Sequence, residues 1–280
     1  YTVVNNEETI ITGADTLIAL TDNKDNSGLY TITHPADNTL QIGTNESITE
    51  YRYRGASPKN YVTFNNETWR IIGVFPTDDG TGKIENRIKI IKDQSIGNKY
   101  WDTSGSNNWA RPATLNTELN TTYYNTLSNI DEQSMIGNAK YYLGGYTQST
   151  GISKDMMYQY ERKISGSNTY YYGTNSNSWT GKIGLMYISD YGYSASDTCT
   201  SNLSSYNDET CTSNNWLYNI KKNEWLLPQR SNYSGDVFNI DADGLVGFNS
   251  ASNNNYAVRP TLYLKYNVQI SSGDGTSSNP

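Results

Sequence analysis

Apolar residues in this chain gather in short runs separated by turn-forming polar residues. "YVTFNNETWRIIGVF" (Tyr61–Phe75) predicts two strands around an Asn65-Asn66 turn, because Asn tolerates the left-handed backbone that a tight hairpin needs. "RIIGVF" and "RIKIIKD" flank "PTDDGTGKIEN", which predicts a second hairpin with an Asp-Gly turn. Both faces of these strands are apolar, as in the centre of a sheet. "DVFNI-DADG-LVGF" (Asp236–Phe248) predicts a third hairpin. The closing stretch "NNNYAVRPTLYL" (Asn253–Leu264) changes character in its middle, from a soft polar run to a core strand interrupted by Arg259-Pro260.

Residues 109–145 carry helical spacing. Pro112 suits a first turn, and Leu115, Leu119 and Tyr123 repeat on one face. A second helix is predicted from Ser128, with Asp131 as its capping partner. It runs through Met135, Ala139 and Leu143 and stops at Gly144-Gly145. "MMYQYERK" (Met156–Lys163) alternates like a strand, "KIGLMYI" (Lys182–Ile188) reads as a buried strand, and 189–215 as a long loop. The first 50 residues read as a small β region or arm, with "TVV", "TIIT" and "TLIAL" as β-like runs ahead of the turn-rich "TDNKDNSG". His34-Pro35 is extended, since proline disfavours helix at the residue before it. The division expected is 1–50, a main domain over 51–270, and a flexible tail over 271–280.

Hydrophobic residues are only 35% of the 280, and 25 tyrosines make up for this with rings that bury well and keep a polar tip. The net charge of −7 comes with no basic block, which speaks against nucleic acid and anionic membrane as partners. No apolar run reaches the roughly 18 residues of a membrane span. Cys199 and Cys211 sit in a Ser/Thr/Asn-rich loop and are expected to form a disulfide, because the single histidine, His34, is far away as a metal partner. One local pair suits an oxidising, extracellular setting.

No catalytic residue, cofactor or metal is expected. Asn239, Asp241, Asp243 and Gly244 have the spacing of the first half of a calcium loop, but Ser250 stands where a bidentate Glu is needed, so a hairpin turn is the preferred reading. A hydrolytic triad would have to use His34, and no nucleophile elbow is present, so His34 is read as a plain loop residue. Asp236, Asp241 and Asp243 lie among aromatics, but no pattern selects two of them as a glycosidase pair. What remains is a surface of Asn, Ser, Tyr and Asp between residues 231 and 256, a composition that serves as adaptable contact area in binding loops.

Taken together, "YVTFNNETWRIIGVF", "TELNTTYYNTL", "MIGNAKYYLGG", "GKIGLMYISDYGY", "NWLY…EWLLP" and "YAVRPTLYLK" resemble an uncharacterised family of surface-displayed bacterial proteins. The resemblance covers Tyr51 to Pro280. Through "WLLP…VF…DADG…VRPTLYL" it extends to the C-type-lectin-like fold of formylglycine-generating enzymes and of variable proteins of diversity-generating retroelements. It implies an α+β protein: a C-type-lectin-like main domain with antiparallel sheets and two helices, beside a small N-terminal β region. It implies a structural Arg259, paired with a buried acid or backbone carbonyls, and a frame of Trp225, Leu226, Val237, Phe238 and Val246. On that frame the exposed, ligand-binding set would be Ser231, Asn232, Tyr233, Asp236, Asn239, Asp241, Asn249, Ser252, Asn253, Asn254, Asn255 and Tyr256. The function implied is that of a non-enzymatic, cell-surface ligand binder or adhesin for a protein or glycan. The alternative is a filament, pilus or coat subunit that self-associates through the N-terminal arm and C-terminal tail, since relatives continue "GDGTSSNP" with the Tyr-Thr that opens this chain.

Overall fold

The computed structural model describes residues 11–24, 28–219 and 221–280. The described residues form a mixed α and β structure rich in sheet, in which the strands pair antiparallel with a single exception. The expected run "TVV" and the start of "TIIT" lie outside the described residues. "TLIAL" is not a strand: Gly13–Ala19 is helix α1, whose Thr12 and Asp15 form a reciprocal cap.

The main sheet is built first. Strands β1 (Leu29–His34), β2 (Ile48–Tyr53), β3 (Tyr61–Phe64), β4 (Glu67–Asp78) and β5 (Ile84–Lys92) follow one another along the chain. The β3–β4 turn is the predicted one, with Asn65 and Asn66 at φ 54° and 59°. The β4–β5 turn is also as predicted. Asp78 Oδ1 accepts the Gly80 and Gly82 amides at 2.8 and 3.0 Å. The register of β4 shifts between Ile71 and Gly73, and there β2 comes so close that a Cβ on Gly73 would lie 2.1 Å from Tyr51 O. The expected boundary at residue 50 therefore falls inside β2, a full member of the sheet. The tail over 271–280, expected to be mobile, folds back on β3, where Tyr61 N–H donates to Gly275 O at 2.9 Å.

Short β6 (Asn98–Lys99) leads to helix α2 (Thr114–Glu118), which opens after Ala113 and continues as a π turn over Leu119–Tyr123 and then as α3 (Tyr124–Thr126). Leu115 and Leu119 are buried as predicted. The second predicted helix is much shorter than its pattern suggests. Helix α4 covers only Ile130–Ser134, capped by Asn129, and Ala139–Tyr142 is strand β7, paired with β8 (Ser178–Gly181). Gly137 breaks the helix, its N–H donating to Tyr263 O at 2.9 Å. "MMYQYERK" is corrected in the opposite direction. Lys154–Glu161 is helix α5, capped by Ser153 and burying Met157, Tyr158 and Glu161 on one face. "KIGLMYI" contributes only β9 (Ile183–Gly184) before the fully buried α6 (Ile188–Tyr193). The expected long loop 189–215 thus begins as a helix, and it also contains α7 (Glu209–Thr212) and the Cys199–Cys211 disulfide. Against the two helices expected, the described residues hold seven short α-helical segments.

The second sheet consists of β10 (Glu224–Gln229), β11 (Asp236–Ile240), β12 (Val246–Ser250) and β13 (Tyr256–Ala257), in the order β12-β11-β10-β13-β6. The last strand, β14 (Thr261–Tyr263), belongs to the main sheet, between β5 and β9. "NNNYAVRPTLYL" therefore switches sheets at Val258-Arg259-Pro260. Proline fits this corner because it has no ladder amide to lose. Arg259 is buried there, with Nε and Nη2 donating to the two Glu224 carboxylate oxygens at 2.7 and 2.8 Å and Nη2 also to Leu217 O at 2.7 Å. It thus pairs with both an acid and a backbone carbonyl, the roles the resemblance implied. Tryptophan N–H groups tie segments together: Trp216 donates to Tyr53 O at 2.9 Å, Trp101 to Leu226 O at 3.1 Å and Trp225 to Lys99 O at 2.9 Å.

The main sheet also carries a buried ionic network. Arg52 bridges Glu50 and Asp190, Lys89 Nζ lies 2.5 Å from Asp190, and Arg162 lies 2.9 Å from Glu161, with all six side chains buried. Burial works against the charge of Glu50 and Asp190. Arg52 overrides it for Glu50, and Lys89 with Arg52 for Asp190, so both carboxyls titrate below their ordinary range.

Candidate binding face

The loop between β10 and β11 presents Tyr233, 56% exposed, with Asn232 beside it. Its backbone is held from behind by Asn107, only 1% exposed. The Asn107 Nδ2 group lies 2.9, 2.8 and 3.0 Å from the carbonyl oxygens of Arg230, Tyr233 and Asp236, and Asn107 N–H donates to Ser234 O at 2.8 Å. Asn107 is itself oriented by Asn175, whose Nδ2 donates to Asn107 Oδ1 at 2.9 Å and to Gln229 Oε1 at 2.7 Å. A loop fixed by this many directed bonds has little entropy left to lose on binding.

Arg230 pairs with Asp236 at 2.9 Å, lies 3.9 Å over the Phe248 ring, and donates from Nε to Asn232 Oδ1 at 3.0 Å. The Ala251 amide donates to Gly235 O at 2.8 Å, which brings Ser252 alongside the Tyr233 loop. Asn249, Ser252, Asn254 and Asn255 are exposed, and Asp236, Asp241 and Asn253 are half-buried.

Three members of the expected exposed set are not exposed. Ser231 is buried, its hydroxyl donating to Thr169 O at 2.7 Å. Asn239 is buried on β11 beside Asp241, with Nδ2 donating to Asp241 Oδ1 at 2.7 Å. Tyr256 is 4% exposed and stacks on Trp225 with ring centroids 3.9 Å apart. Ser231 lies in the turn after β10, and Asn239 and Tyr256 lie on strands buried at consecutive positions, so neighbouring elements rather than residue type put them inside. The frame residues Trp225, Leu226, Val237, Phe238 and Val246 are all buried.

The set falls into two groups. Asn232, Tyr233, Asp236 and Ser252 gather at the loop end of the hairpin. Asn239, Asp241, Asn249 and Tyr256 gather along its side, where burial first, and then nearby Asp241, raise the Tyr256 hydroxyl pKa while Asn249 lowers it. Burial likewise raises the Asp241 carboxyl. "DADG" is the turn of the β11–β12 hairpin, with Gly244 at φ 103°.

Sequence reasoning missed the far wall of the loop end. Tyr146 O accepts the Ser231 amide at 3.0 Å, and Tyr146 stacks with Tyr160 at 4.6 Å and Tyr170 at 6.2 Å, all three rings half-buried. Gly144-Gly145 was the available signal. A Cβ on Gly145 would lie 1.9 Å from Gln229 O, so the pair marks a close backbone crossing rather than the end of a helix.

His34 is also placed differently from expectation. It ends β1, stacks on Tyr158 at 3.5 Å with the rings 7° from parallel, and brings Nε2 to 3.4 Å from the buried Glu50 carboxylate. It is a wall residue of a groove of about 470 Å3 rather than a plain loop residue. Comparisons of the chain with protein-family models, with curated proteins and with solved structures give no match.

Proposed function

We propose that this is an extracellular, non-enzymatic ligand-binding or adhesive protein displayed at a cell surface, whose contact face centres on Tyr233. The supporting observation is the Tyr233 loop itself: an exposed aromatic ring on a backbone whose carbonyls are gripped by a buried asparagine. A large ring on a rigid support gives contact area at low entropic cost, and the neighbouring Asn, Ser and Tyr side chains supply adaptable hydrogen bonds. With Arg230 already paired to Asp236, the loop end around Tyr233 offers a partner rings, amides and hydroxyls. The disulfide agrees with an oxidising location, and no helix among the described residues is long and apolar enough to cross a membrane.

The test is a glycan array and an array of immobilised extracellular proteins, probed with the wild-type chain and with Tyr233→Ala. A hit weakened by about 2 kcal/mol, roughly thirtyfold, in the variant is the expected result. Equal binding by the variant moves the contact face elsewhere. Self-assembled filaments in negative-stain electron microscopy, with no array hit, turn the reading to the structural-subunit alternative.

A further inference from the structure

The groove beside His34 lies on different elements from the Tyr233 loop, between the segment 35–44 and helix α5. Its outer wall is preformed. Asp37 N–H donates to Gly43 O at 2.9 Å, closing the segment on itself, while Gln41 N–H donates to Arg162 O at 2.9 Å and Ile164 N–H to Thr39 O at 3.0 Å, fastening it to the end of α5. The volume of about 470 Å3 is in the range of small-molecule sites.

The polar groups of the groove select a ligand chemistry. His34 Nε2 lies 3.4 Å from the Glu50 carboxylate, which Arg52 holds at 2.8 Å, so Nε2 is the ring nitrogen turned to that acceptor. In the neutral ring Nδ1 is then left as an acceptor. Asp37 uses Oδ1 to accept from Thr39, and its Oδ2 lies 3.7 Å from Lys163 Nζ, so this carboxylate is already matched from behind. The amides of Asn38 and Gln159 and the hydroxyl of Thr44 both donate and accept. No Lys or Arg lines the groove. Lys163 behind it is held by Thr39 at 2.6 Å and faces Asp37 at 3.7 Å. Acceptors without a free cation disfavour phosphate and carboxylate ligands and favour one rich in O–H donors. Leu40, Pro35 and Ala36 supply the apolar contact that the C–H face of a sugar ring needs. We propose that this groove binds one neutral sugar residue, as a free sugar or as a unit of a glycan.

The experiment is amide-shift NMR on the full chain titrated separately with D-glucose, D-galactose, D-mannose and N-acetyl-D-glucosamine, with inorganic phosphate as the anionic control. At least one sugar is expected to move the amides of Ala36, Asn38, Thr44 and Gln159. Its affinity is expected to fall about tenfold in His34→Phe, which keeps a ring on Tyr158 but removes the acceptor, and about tenfold in Gln159→Ala, a change at an exposed helix position that leaves the fold intact. Tyr233→Ala should leave these shifts unchanged, so the result is independent of the contact face proposed above. The proposal is overturned if no sugar moves these amides, if shifts appear only around Tyr233, if phosphate binds in their place, or if both groove variants bind as the wild type does.

Discussion

Tyr233 and Tyr256 belong to the same polar stretch and the same residue type, yet one is 56% exposed and the other 4%. Tyr233 caps a loop between strands, and Asn107 holds it through backbone carbonyls rather than through the Tyr233 ring. Tyr256 opens a strand, and its ring is the bonding element, flat against Trp225. The difference separates display from support. In the first region the scaffold holds the chain so that the side chain is free, and in the second the side chain is what holds the scaffold. A binding face can therefore be changed at Tyr233 without penalty to the fold, while the same change at Tyr256 damages the support.

The largest effect should come from the support. Arg259→Met leaves Glu224 buried and unpaired at the corner between sheets and should cost about 3–5 kcal/mol, read as the shift of a urea unfolding midpoint. A loss below about 1 kcal/mol would mean the corner does not depend on this pair. Tyr256→Ala follows, at about 3 kcal/mol, from the emptied space against Trp225. If it proves as mild as a surface change, the contrast drawn above collapses.

Acid should act on the support too. Glu50 and Asp190 have depressed folded-state pKa values, so their contribution is complete above the ordinary carboxylate range and is lost progressively as pH falls from that range toward their lower folded values. Glu161 and Glu224 are raised by burial, despite Arg162 and Arg259, and so oppose this: folding favours their protonated forms, and that benefit fades as pH rises through their folded values. Because Glu161 and Glu224 offset much of the loss, stability should drop by about 1 kcal/mol between pH about 5 and about 3. A flat thermal-unfolding profile over that interval would contradict the assignment.

Asn107→Ala probes the join between the two regions. It removes the grip on three carbonyls and should cost about 1.5 kcal/mol. Amide exchange should speed up over 230–236 and stay unchanged in β4 and β5. The smallest effect belongs to Tyr233→Ala, within about 0.5 kcal/mol of wild-type stability. A larger loss would place its ring in the support after all.

The hairpins were legible because a turn is encoded by the residues that make it. Asn65-Asn66, the Asp78–Gly82 turn and the "DADG" turn sit where local backbone chemistry demands. The helix errors have equally local causes. Thr12 and Ser153 are capping residues that signalled helices where apolar alternation was read as strand. Gly137 interrupts a spacing that would otherwise continue as helix. The candidate face was legible as a composition, but its membership was not. Ser231, Asn239 and Tyr256 are indistinguishable by type from their exposed neighbours, and Asn107, Tyr146 and His34 enter through contacts with residues far away in the chain.

The sequence by itself determined the three hairpins, the pairing of the two cysteines and the place where the final strand breaks at Arg259-Pro260, all of which rest on neighbours within a few positions. Only the tertiary structure decided that the break is a passage between two sheets, that one buried asparagine holds the presented loop, and that the single histidine faces a groove with a buried acid at its back. Those outcomes depend on which distant surfaces meet, and a run of Asn, Ser and Tyr does not record on which side of a strand it will lie.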